Sequence, residues 1–412
     1  MKVLVLNSGS SSQKSSLYDI GDVLPNDPPA CLWQAKIEWE GESAEAEIKS
    51  GRGFTRRNRI QVSSRAQAIE HLLGTLWKGE ASAVRSPSEI DVVGHRVVHG
   101  GPEFEDPVVI TAEVKSAIAS VSAFAPLHNR AELEGMETIE KLLGAVPQVA
   151  VFDTGFHKTM PLYAAVYPGP YEWFASGIRR YGFHGINHKY CARRAAHLLG
   201  RDLNSFKLVT CHLGNGCSLA AIHNGKSVDT TMGFTPLEGL MMGTRSGSVD
   251  PGILTYLLRQ SKHTGEQLDE LLNEHSGLLG ISDVSGDMRE ILSAVRKGHE
   301  RAKLAFDIYV HRLRSSIGAM IAVLGGIDAL VFTAGVGENS PDVRAAACEN
   351  LQYVGLKLDP KKNAESPADE EISAPDSVVR VITIRAEEDW EIARDCWELV
   401  DKNQTQRQEQ HT

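Results

Sequence analysis

The chain of 412 residues is long enough for two or three domains, and 42% hydrophobic with 23% charged residues is typical of a globular protein. Its formal net charge of −10 argues against a nucleic-acid-binding protein or one that binds anionic membranes. No apolar run approaches the ~20 residues of a transmembrane helix, and the N-terminus lacks the apolar core of a secretory signal. The six cysteines form no C-x-x-C pair, so we expect reduced thiols and a cytoplasmic protein.

The first part of the chain alternates strand and helix patterns, which predicts an α/β domain ending near Asp153. Residues 2–7 and 17–20 are predicted strands joined by a polar turn. The elements that follow are further strands with a solvated basic loop (Arg52–Arg59) in 27–64, helices at 66–77 and 129–143, and strands at 91–100 and 149–152. Asp153 follows the last strand, at the carboxyl end where open α/β sheets bind ligands.

The second half of the chain repeats this plan. The segment "KLVTCHLGNGCSLAAIHNG" (Lys207–Gly225) has the same order of strand, small polar turn and strand as Lys2–Ile20. This similarity indicates a duplication, with a cleft between two lobes. The later predicted elements are a helix at 300–324, strands at 329–335 and 378–384, and a closing helix at 391–400. The last residues lack apolar side chains and predict disorder.

Two hairpin turns, Asn7–Ser12 and Gly214–Ser218, offer backbone N–H groups and small side chains that suit phosphate oxygens. Taken singly, each can equally be a plain hairpin turn, and neither matches the P-loop pattern. The segment "FTAGVGENS" (Phe332–Ser340) lacks the third glycine of the dinucleotide fingerprint, which argues against an NAD enzyme. A glycine-rich turn that accepts a nucleoside remains as a weak signal.

Arginines and histidines stand in unusual positions. Arg96 interrupts an apolar strand and Arg245 lies in a glycine-rich loop, so each needs either an internal carboxylate or a bound anion. His184 and His188 have the spacing of zinc ligands, but the glutamate of H-E-x-x-H is missing, and a donor to phosphate fits better. Backbone nests, arginines and a carboxylate together indicate phosphoryl transfer, with Asp153 as the first candidate for Mg²⁺.

Over residues 2 to about 395 the chain contains the segments "VLVLNSGSSSQK", "GHRVVHGG", "VFDTGFHKTMP", "RRYGFHGINHKY", "FTAGVGENS" and above all the stretch His212–Gly252. These segments, in this order, resemble the acetate kinase family. The resemblance implies an α/β, two-lobed, duplicated actin-like ATPase fold, with a ribonuclease H-like motif in each lobe and a central nucleotide cleft. The expected N-terminal lobe is 1–153 plus 388–402, the C-terminal lobe is 154–387, and 403–412 is the disordered tail.

The activity implied is reversible transfer of the ATP γ-phosphoryl group to acetate, giving acetyl phosphate and ADP, by direct in-line displacement with Mg²⁺ or alternatively Mn²⁺. The resemblance also implies a homodimer. A propionate or other short-chain acyl kinase is the near alternative, because one methylene changes binding by only ~1–3 kcal/mol. A non-catalytic or chaperone-like ATP-binding module is a more distant one.

The resemblance also assigns residues. Those expected at the reacting groups are Asn7, Arg96, His128, Asp153, His184 and Arg245. Those expected to bind nucleotide are Ser10, Ser12, Lys14, His212, Gly214, Asn215, Gly216, Asp287, Met288, Arg289, Gly335, Gly337, Glu338 and Asn339. Those expected around the acyl group are Arg96, Val98, Leu127, Phe183 and Pro236. The expected metal ligands are Asn7, Asp153 and Glu388, with Glu387 as the alternative to Glu388.

Acetate is already ionised at pH 7, so it needs no general base, and we predict that Asp153 positions Mg²⁺ rather than removing a proton. The chain departs from the family pattern at Ala334, where glycine is usual, and at Ile186–Asn187, where Thr–Ser is usual. The change at Ala334 stands beside the expected adenine turn and bears on nucleotide preference.

Overall fold

The structure, a computed structural model, describes residues 1–9, 12–40, 43–62, 64–121, 126–260, 262–365 and 368–409, with only the backbone described for 40, 126–130 and 402–409. The chain forms two compact units: unit 1 comprises Met1–Gly155 and Glu387–Thr412, and unit 2 comprises Phe156–Ala386. Within the described ranges, no helix combines the length and the apolar character needed to cross a membrane.

Unit 1 is built on an eight-stranded sheet in the order β5-β4-β3-β2-β1-β6-β8-β7. The strands are β1 Lys2–Ser8, β2 Ser12–Asp19, β3 Trp33–Glu40, β4 Ser43–Ser50, β5 Thr55–Gln61, β6 Val92–Val97, β7 Val108–Val109 and β8 Gln148–Phe152. The first three helices are α1 Arg65–Gly74, α2 Ala112–Ser120 and α3 Pro126–Leu143. The central strand β1 reads as a continuous apolar run because both of its faces are covered, and Val3 to Leu6 are almost fully buried.

Unit 2 has a six-stranded sheet in the order β11-β10-β9-β12-β14-β13. Its strands are β9 Lys207–Leu213, β10 Cys217–His223, β11 Lys226–Thr230, β12 Ala329–Thr333, β13 Glu370–Glu371 and β14 Arg380–Ile384. Its helices are α4 Leu162–Ala165, α5 Tyr171–Ala175, α6 Gly185–Leu198, α7 Pro251–Arg259, α8 Gly265–Glu274, α9 Gly277–Ser282, α10 Met288–Arg296, α11 Glu300–Leu324, α12 Ala334–Asn339, α13 Pro341–Cys348 and α14 Pro360–Glu365. The last helix, α15 Glu388–Glu409, belongs to unit 1.

The two sheets share one topology. In unit 1, β3, β2 and β1 form an antiparallel meander, and β6 and β8 then add parallel to β1. In unit 2, β11, β10 and β9 form the meander, and β12 and β14 add parallel to β9. The carboxyl ends of the parallel strands therefore meet at one edge of each sheet, and the expected site residues follow those ends.

A glycine in β6 lets α15 lie close against the sheet. A Cβ at Gly94 would stand 2.6 Å from Cys396 Sγ and 2.7 Å from Ile392 Cγ2, so any larger residue would displace the helix. The helix is also held by Trp390, which is 1% exposed and contacts the Tyr18 ring with centroids 5.5 Å apart. This packing places the first residues of α15 next to the end of β1.

Two parts of the chain differ from expectation. The predicted basic loop Arg52–Arg59 largely forms the edge strand β5, whose Arg57 pairs with Glu47 of β4 at 2.9 Å. Arginines suit an exposed edge because they discourage pairing with further strands. The last helix continues to Glu409, into the stretch predicted to be disordered, because Gln, Glu, Arg and Lys are good helix formers even without an apolar face.

Candidate active site

In unit 1, three predicted residues converge at the carboxyl edge of the sheet. Arg96 Nη2 donates to Asp153 Oδ2 at 2.7 Å, and Arg96 Nη1 donates to Asn7 Oδ1 at 3.3 Å. The Arg96 side chain is 14% exposed and that of Asp153 is 1% exposed. Of the two partners that the sequence left open for a buried arginine, the structure shows the internal carboxylate for Arg96.

The start of α15 supplies two more carboxylates. Asn7 Nδ2 lies 3.0 Å from both Glu388 Oε2 and Asp389 Oδ1, and the Ser16 hydroxyl donates to Asp389 Oδ2 at 2.7 Å. Asp389 is buried and was not predicted from the sequence. Carboxylate and amide oxygens are the ligands that Mg²⁺ prefers, so this set of side chains fits the metal that the resemblance implies.

The charge of Arg96 is secured by its neighbours. Burial alone would lower the pKa of its guanidinium, but the carboxylates of Asp153 and Glu388 outweigh burial and raise it. Arg96 therefore stays protonated wherever the protein is folded.

Glu132 is a buried carboxyl group that sequence analysis missed. It is 2% exposed, and the Val98 N–H lies 3.1 Å from Oε1 and 3.3 Å from Oε2. Burial raises its pKa to about 8, against the opposing effect of Arg96. Glu132 shares the buried face of α3 with Met136 and Ile139. A charged residue on the apolar face of a predicted helix was the signal that could have found it.

The other predicted residues of unit 1 are placed less centrally. Val98 is buried, and its N–H donates a hydrogen bond to the Glu132 carboxyl group. Lys14 stands opposite Asn7 in the β1–β2 register but is exposed, and Ser12 is half-buried. Ser10 and the side chains of Leu127 and His128 lie outside the described residues.

In unit 2, His184 is held in a rare backbone conformation at the start of α6. Its φ of 57° is left-handed, a conformation that costs energy for a residue with a side chain and that concentrates at functional sites. Its Nδ1 lies 2.9 Å from Ser218 Oγ, and its ring stacks on His212 with centroids 3.9 Å apart. Asn187, one of the departures from the family pattern, lies 2.8 Å from His212 Nδ1 through its amide nitrogen.

His188 serves to support this arrangement. It is fully buried, with Nε2 at 2.8 Å from Ser218 Oγ and Nδ1 at 2.6 Å from Thr210 Oγ1. Burial lowers its pKa well below the usual value, so it is neutral. Both ring nitrogens of His188 are engaged by hydroxyl groups, so the residue acts as a hydrogen-bonded support.

Arg245 and His184 approach the same glycine. A Cβ at Gly216 would lie 3.4 Å from His184 Nε2 and 3.5 Å from Arg245 Nη1. Arg245 Nη1 also donates to the carbonyl oxygen of Pro236 at 3.2 Å. Burial lowers the pKa of Arg245, and no carboxylate among the described residues pairs with it. A guanidinium in this setting calls for an anion from outside the chain.

Beside this turn, a cavity of about 750 Å³ collects most residues predicted to bind adenosine. Its walls are formed by the turn after β9, the helices α10 and α12, and the start of α13. The predicted residues that line it are Gly214, Asn215, Asp287, Met288, Arg289, Gly335 and Asn339. Residues that sequence analysis missed also line it, among them Arg296 and Asp342, whose side chains pair at 3.3 Å.

Four predicted nucleotide residues of unit 2 are not in the wall of this cavity. His212 and Gly216 belong to the neighbouring histidine and arginine cluster. Gly337 is a buried residue of α12, and its carbonyl oxygen accepts from Arg344 at 2.8 Å. The Glu338 carboxylate accepts from the Ala386 N–H at 2.9 Å, which turns it towards the body of the unit.

The backbone conformation at position 334 explains why glycine is usual there in the family, whereas this chain has Ala334. Ala334 has a φ of 64°, in the left-handed region that favours glycine. Its Cβ lies 3.8 Å from the position that a Cβ would take at Gly214, so the extra methyl group faces the turn after β9.

Sequence and structure comparisons with known proteins identify the family to which the chain belongs. A model of the acetokinase family matches residues 2–394. A protein named acetate kinase from Cyanothece sp. is 58% identical over 405 residues, which cover 98% of this chain and 99% of that protein. The crystal structure of Porphyromonas gingivalis acetate kinase superposes with a TM-score of 0.88 at 42% identity, covering 97% and 99% of the two chains. A propionate kinase from Francisella tularensis gives 0.86 at 37% identity, covering 96% and 98%. The chain belongs to the acetokinase family.

Proposed function

We propose that this protein transfers the terminal phosphoryl group of ATP to acetate and runs the same reaction in reverse. Membership of the acetokinase family and the names of its relatives support this activity. The observation that carries the proposal is the convergence of Arg245 and His184 on the bare backbone of Gly216. It offers a guanidinium without an internal carboxylate, an imidazole and unhindered amides to one anionic group.

The charge of acetate, the nucleophile, determines which groups the protein has to provide. Acetate is ionised at neutral pH, so no side chain has to remove a proton from it. The main barrier is repulsion between a carboxylate and a polyphosphate, and positive charge held in place lowers that barrier. We assign this role to Arg96, Arg245 and His184, while Phe183 and Pro236 contact the acyl group.

Mg²⁺ is part of the proposal. Asn7, Asp153 and Glu388 would hold it, because the Arg96 guanidinium and the Asn7 amide nitrogen link their oxygen atoms into one hydrogen-bonded network in unit 1. When bound, the metal neutralises phosphate charge. The hydrogen bond from Arg96 to Asp153 fixes the orientation of that carboxylate, which suits a ligand rather than a base.

The nucleotide is proposed to lie in the 750 Å³ cavity of unit 2. Gly214 and Gly335 lack side chains there, so the nucleotide can approach the backbone. Asp287 caps α10 and is paired with Arg289, which lowers the pKa of its carboxyl and keeps it anionic.

Acetate is proposed as the preferred acyl substrate because the high-identity relatives are named acetate kinases. A propionate kinase at 37% identity is the reason to test the longer acid as well. We also propose a homodimer in the cytoplasm. Helix α7 exposes Ile253, Tyr256 and Leu258 by 45–59%, an apolar surface that a second copy could cover. The free cysteines, five of the six buried, suit a reducing compartment.

The test is direct. Purified protein is incubated with Mg-ATP and acetate, propionate or butyrate, and hydroxylamine traps any acyl phosphate. Acetate should give the most hydroxamate, and none from any acid would refute the proposed function. Arg245→Ala should lower kcat by about 10²–10³-fold at saturating acetate. The same substitution at Arg312, which is exposed on α11, is the control.

A further inference from the structure

Three polar side chains of unit 2 form a cluster that none of the expected roles explains. Tyr167 donates its hydroxyl proton to Glu238 Oε2, and Arg180 Nη2 donates to Glu238 Oε1 at 2.7 Å. The Arg180 guanidinium also lies over the Tyr167 ring, 5.5 Å from its centroid. The side chains of Arg180 and Glu238 are only 17% and 33% exposed, so solvent weakens their pairing little.

The cluster binds the backbone of the loop between β11 and Glu238. Tyr167 Oη accepts from the Phe234 N–H at 2.9 Å. Arg180 Nη1 donates at 3.1 Å to each of three consecutive carbonyl oxygens, those of Thr230, Thr231 and Met232. A Cβ at Gly233 would overlap both Glu238 Oε2 and Tyr167 Oη, so the loop can lie this close only with glycine there.

This loop connects two segments of the proposed site, one carrying Phe183 and His184 and the other carrying Pro236. The N–H groups of Tyr181 and Gly182 donate to the Gly233 carbonyl oxygen at 3.1 and 3.2 Å, directly before Phe183 and His184. On its other side the loop continues to Pro236, whose carbonyl oxygen accepts from Arg245. The cluster therefore fixes the distance between the segment that carries Phe183 and the segment that carries Pro236.

We propose that Glu238, held between Tyr167 and Arg180, is a positioning residue that sets the acyl-binding geometry of this unit and its discrimination between acetate and longer acids. The inference rests on the proposed function. Glu238 acts through Pro236 and Arg245, since its own carboxylate is used by Tyr167 and Arg180. Without the Glu238 carboxylate, the Arg180 guanidinium keeps its hydrogen bonds to the three carbonyl oxygens but loses its ion pair, and the loop is free to move.

The experiment compares steady-state kinetics of Glu238→Gln and Tyr167→Phe with those of the unaltered protein. Glu238→Gln should raise KM for acetate about tenfold, equivalent to about 1.4 kcal/mol, with KM for ATP changed less than twofold. The ratio of kcat/KM for propionate to that for acetate should rise. Tyr167→Phe should shift both quantities in the same direction and by less, because it keeps the pair of Glu238 with Arg180.

Asp229→Asn is the matched control. Asp229 also lies near Arg180 and Glu238, but its Oδ1 accepts a hydrogen bond from the Thr230 N–H at 2.8 Å, so Asp229→Asn removes charge without breaking the cluster. Equal effects of Asp229→Asn and Glu238→Gln would overturn the inference, as would parallel rises in KM for acetate and ATP or no change in either. Faster hydrogen exchange over residues 230–238 in Glu238→Gln supports it independently of activity, and unchanged exchange opposes it. An unaltered protein that forms no acyl phosphate defeats the proposed function instead, before any variant is compared.

Discussion

Replacing Glu132 by glutamine should change how the stability of unit 1 depends on pH. The Glu132 carboxyl is almost completely buried, and the Val98 N–H is its hydrogen-bond donor. Burial raises its pKa from 4.5 to about 8. The folded protein thus holds this proton more tightly than the unfolded chain does. Its contribution to stability is fully present below pH 4.5 and is lost as the pH rises through 8.

The size of the effect follows from that difference in pKa. The change from 4.5 to about 8 corresponds to at most about 5 kcal/mol of unfolding free energy. About 3 kcal/mol of it falls between pH 6 and pH 9. Glutamine keeps an acceptor for the Val98 N–H and carries no charge at any pH. The variant should therefore gain stability over the unaltered protein as the pH rises, and the gain should level off above pH 8.

Urea unfolding followed by tryptophan fluorescence measures this difference. Five of the six tryptophans, Trp33, Trp39, Trp77, Trp390 and Trp397, lie in unit 1, so the signal reports mainly on the unit that contains Glu132. Glu134→Gln is the matched control, because Glu134 is half-buried on the same helix and accepts from the Ala66 N–H. Unfolding free energies of Glu132→Gln and the unaltered protein that stay parallel from pH 6 to pH 9 would refute the reasoning.

Three further predictions test separate parts of the structure. Ala334→Gly should relieve the left-handed backbone and stabilise unit 2 by about 1 kcal/mol; an unchanged or lower melting temperature would contradict this. His95 has its pKa lowered to about 4 by burial, so its contribution of about 3 kcal/mol is present above pH 6.5 and lost as the pH falls through 4. His95→Gln should therefore flatten the acid limb of a pH–stability curve, and an unaltered limb would count against it. Glu388→Gln should raise the Mg²⁺ concentration for half-maximal activity more than tenfold and Glu387→Gln should not; the reverse order would move the ligand to Glu387.

Much of the fold could be predicted because its elements have strong periodic patterns. The predicted helix 300–324 matches α11, and the apolar runs at 2–7 and 149–152 fall in β1 and β8. The α/β class is confirmed by the solved relatives, and five strands of each sheet, β3-β2-β1-β6-β8 and β11-β10-β9-β12-β14, have the same order. The edge strand β5 was missed because its contacts are to one neighbouring strand and its side chains are polar, so its sequence has the composition of a loop.

The candidate site could be predicted where a residue type conflicts with its surroundings. Two conflicts of this kind are Arg96 in an apolar strand and the glycines Gly214 and Gly216 where strand side chains would be expected. The structure places Arg96 near the carboxyl end of β6 and the two glycines in the turn after β9. Asp389 and Glu132 were missed because acidic residues are ordinary on helices, and only the tertiary packing shows that these two are buried. The cluster of Tyr167, Arg180 and Glu238 joins residues that are far apart in sequence, so no local pattern could reveal it.

The return of α15 to unit 1 has a consequence for how the protein is made. Trp390 and Ile392 fill the space against the N-terminal sheet, yet they are synthesised after the whole of unit 2. At about 5–20 residues per second, the roughly 230 residues between take about 10–50 s to translate. During that time the nascent N-terminal sheet leaves its apolar surface open on the ribosome. A chaperone that covers this surface should therefore raise the yield of native protein.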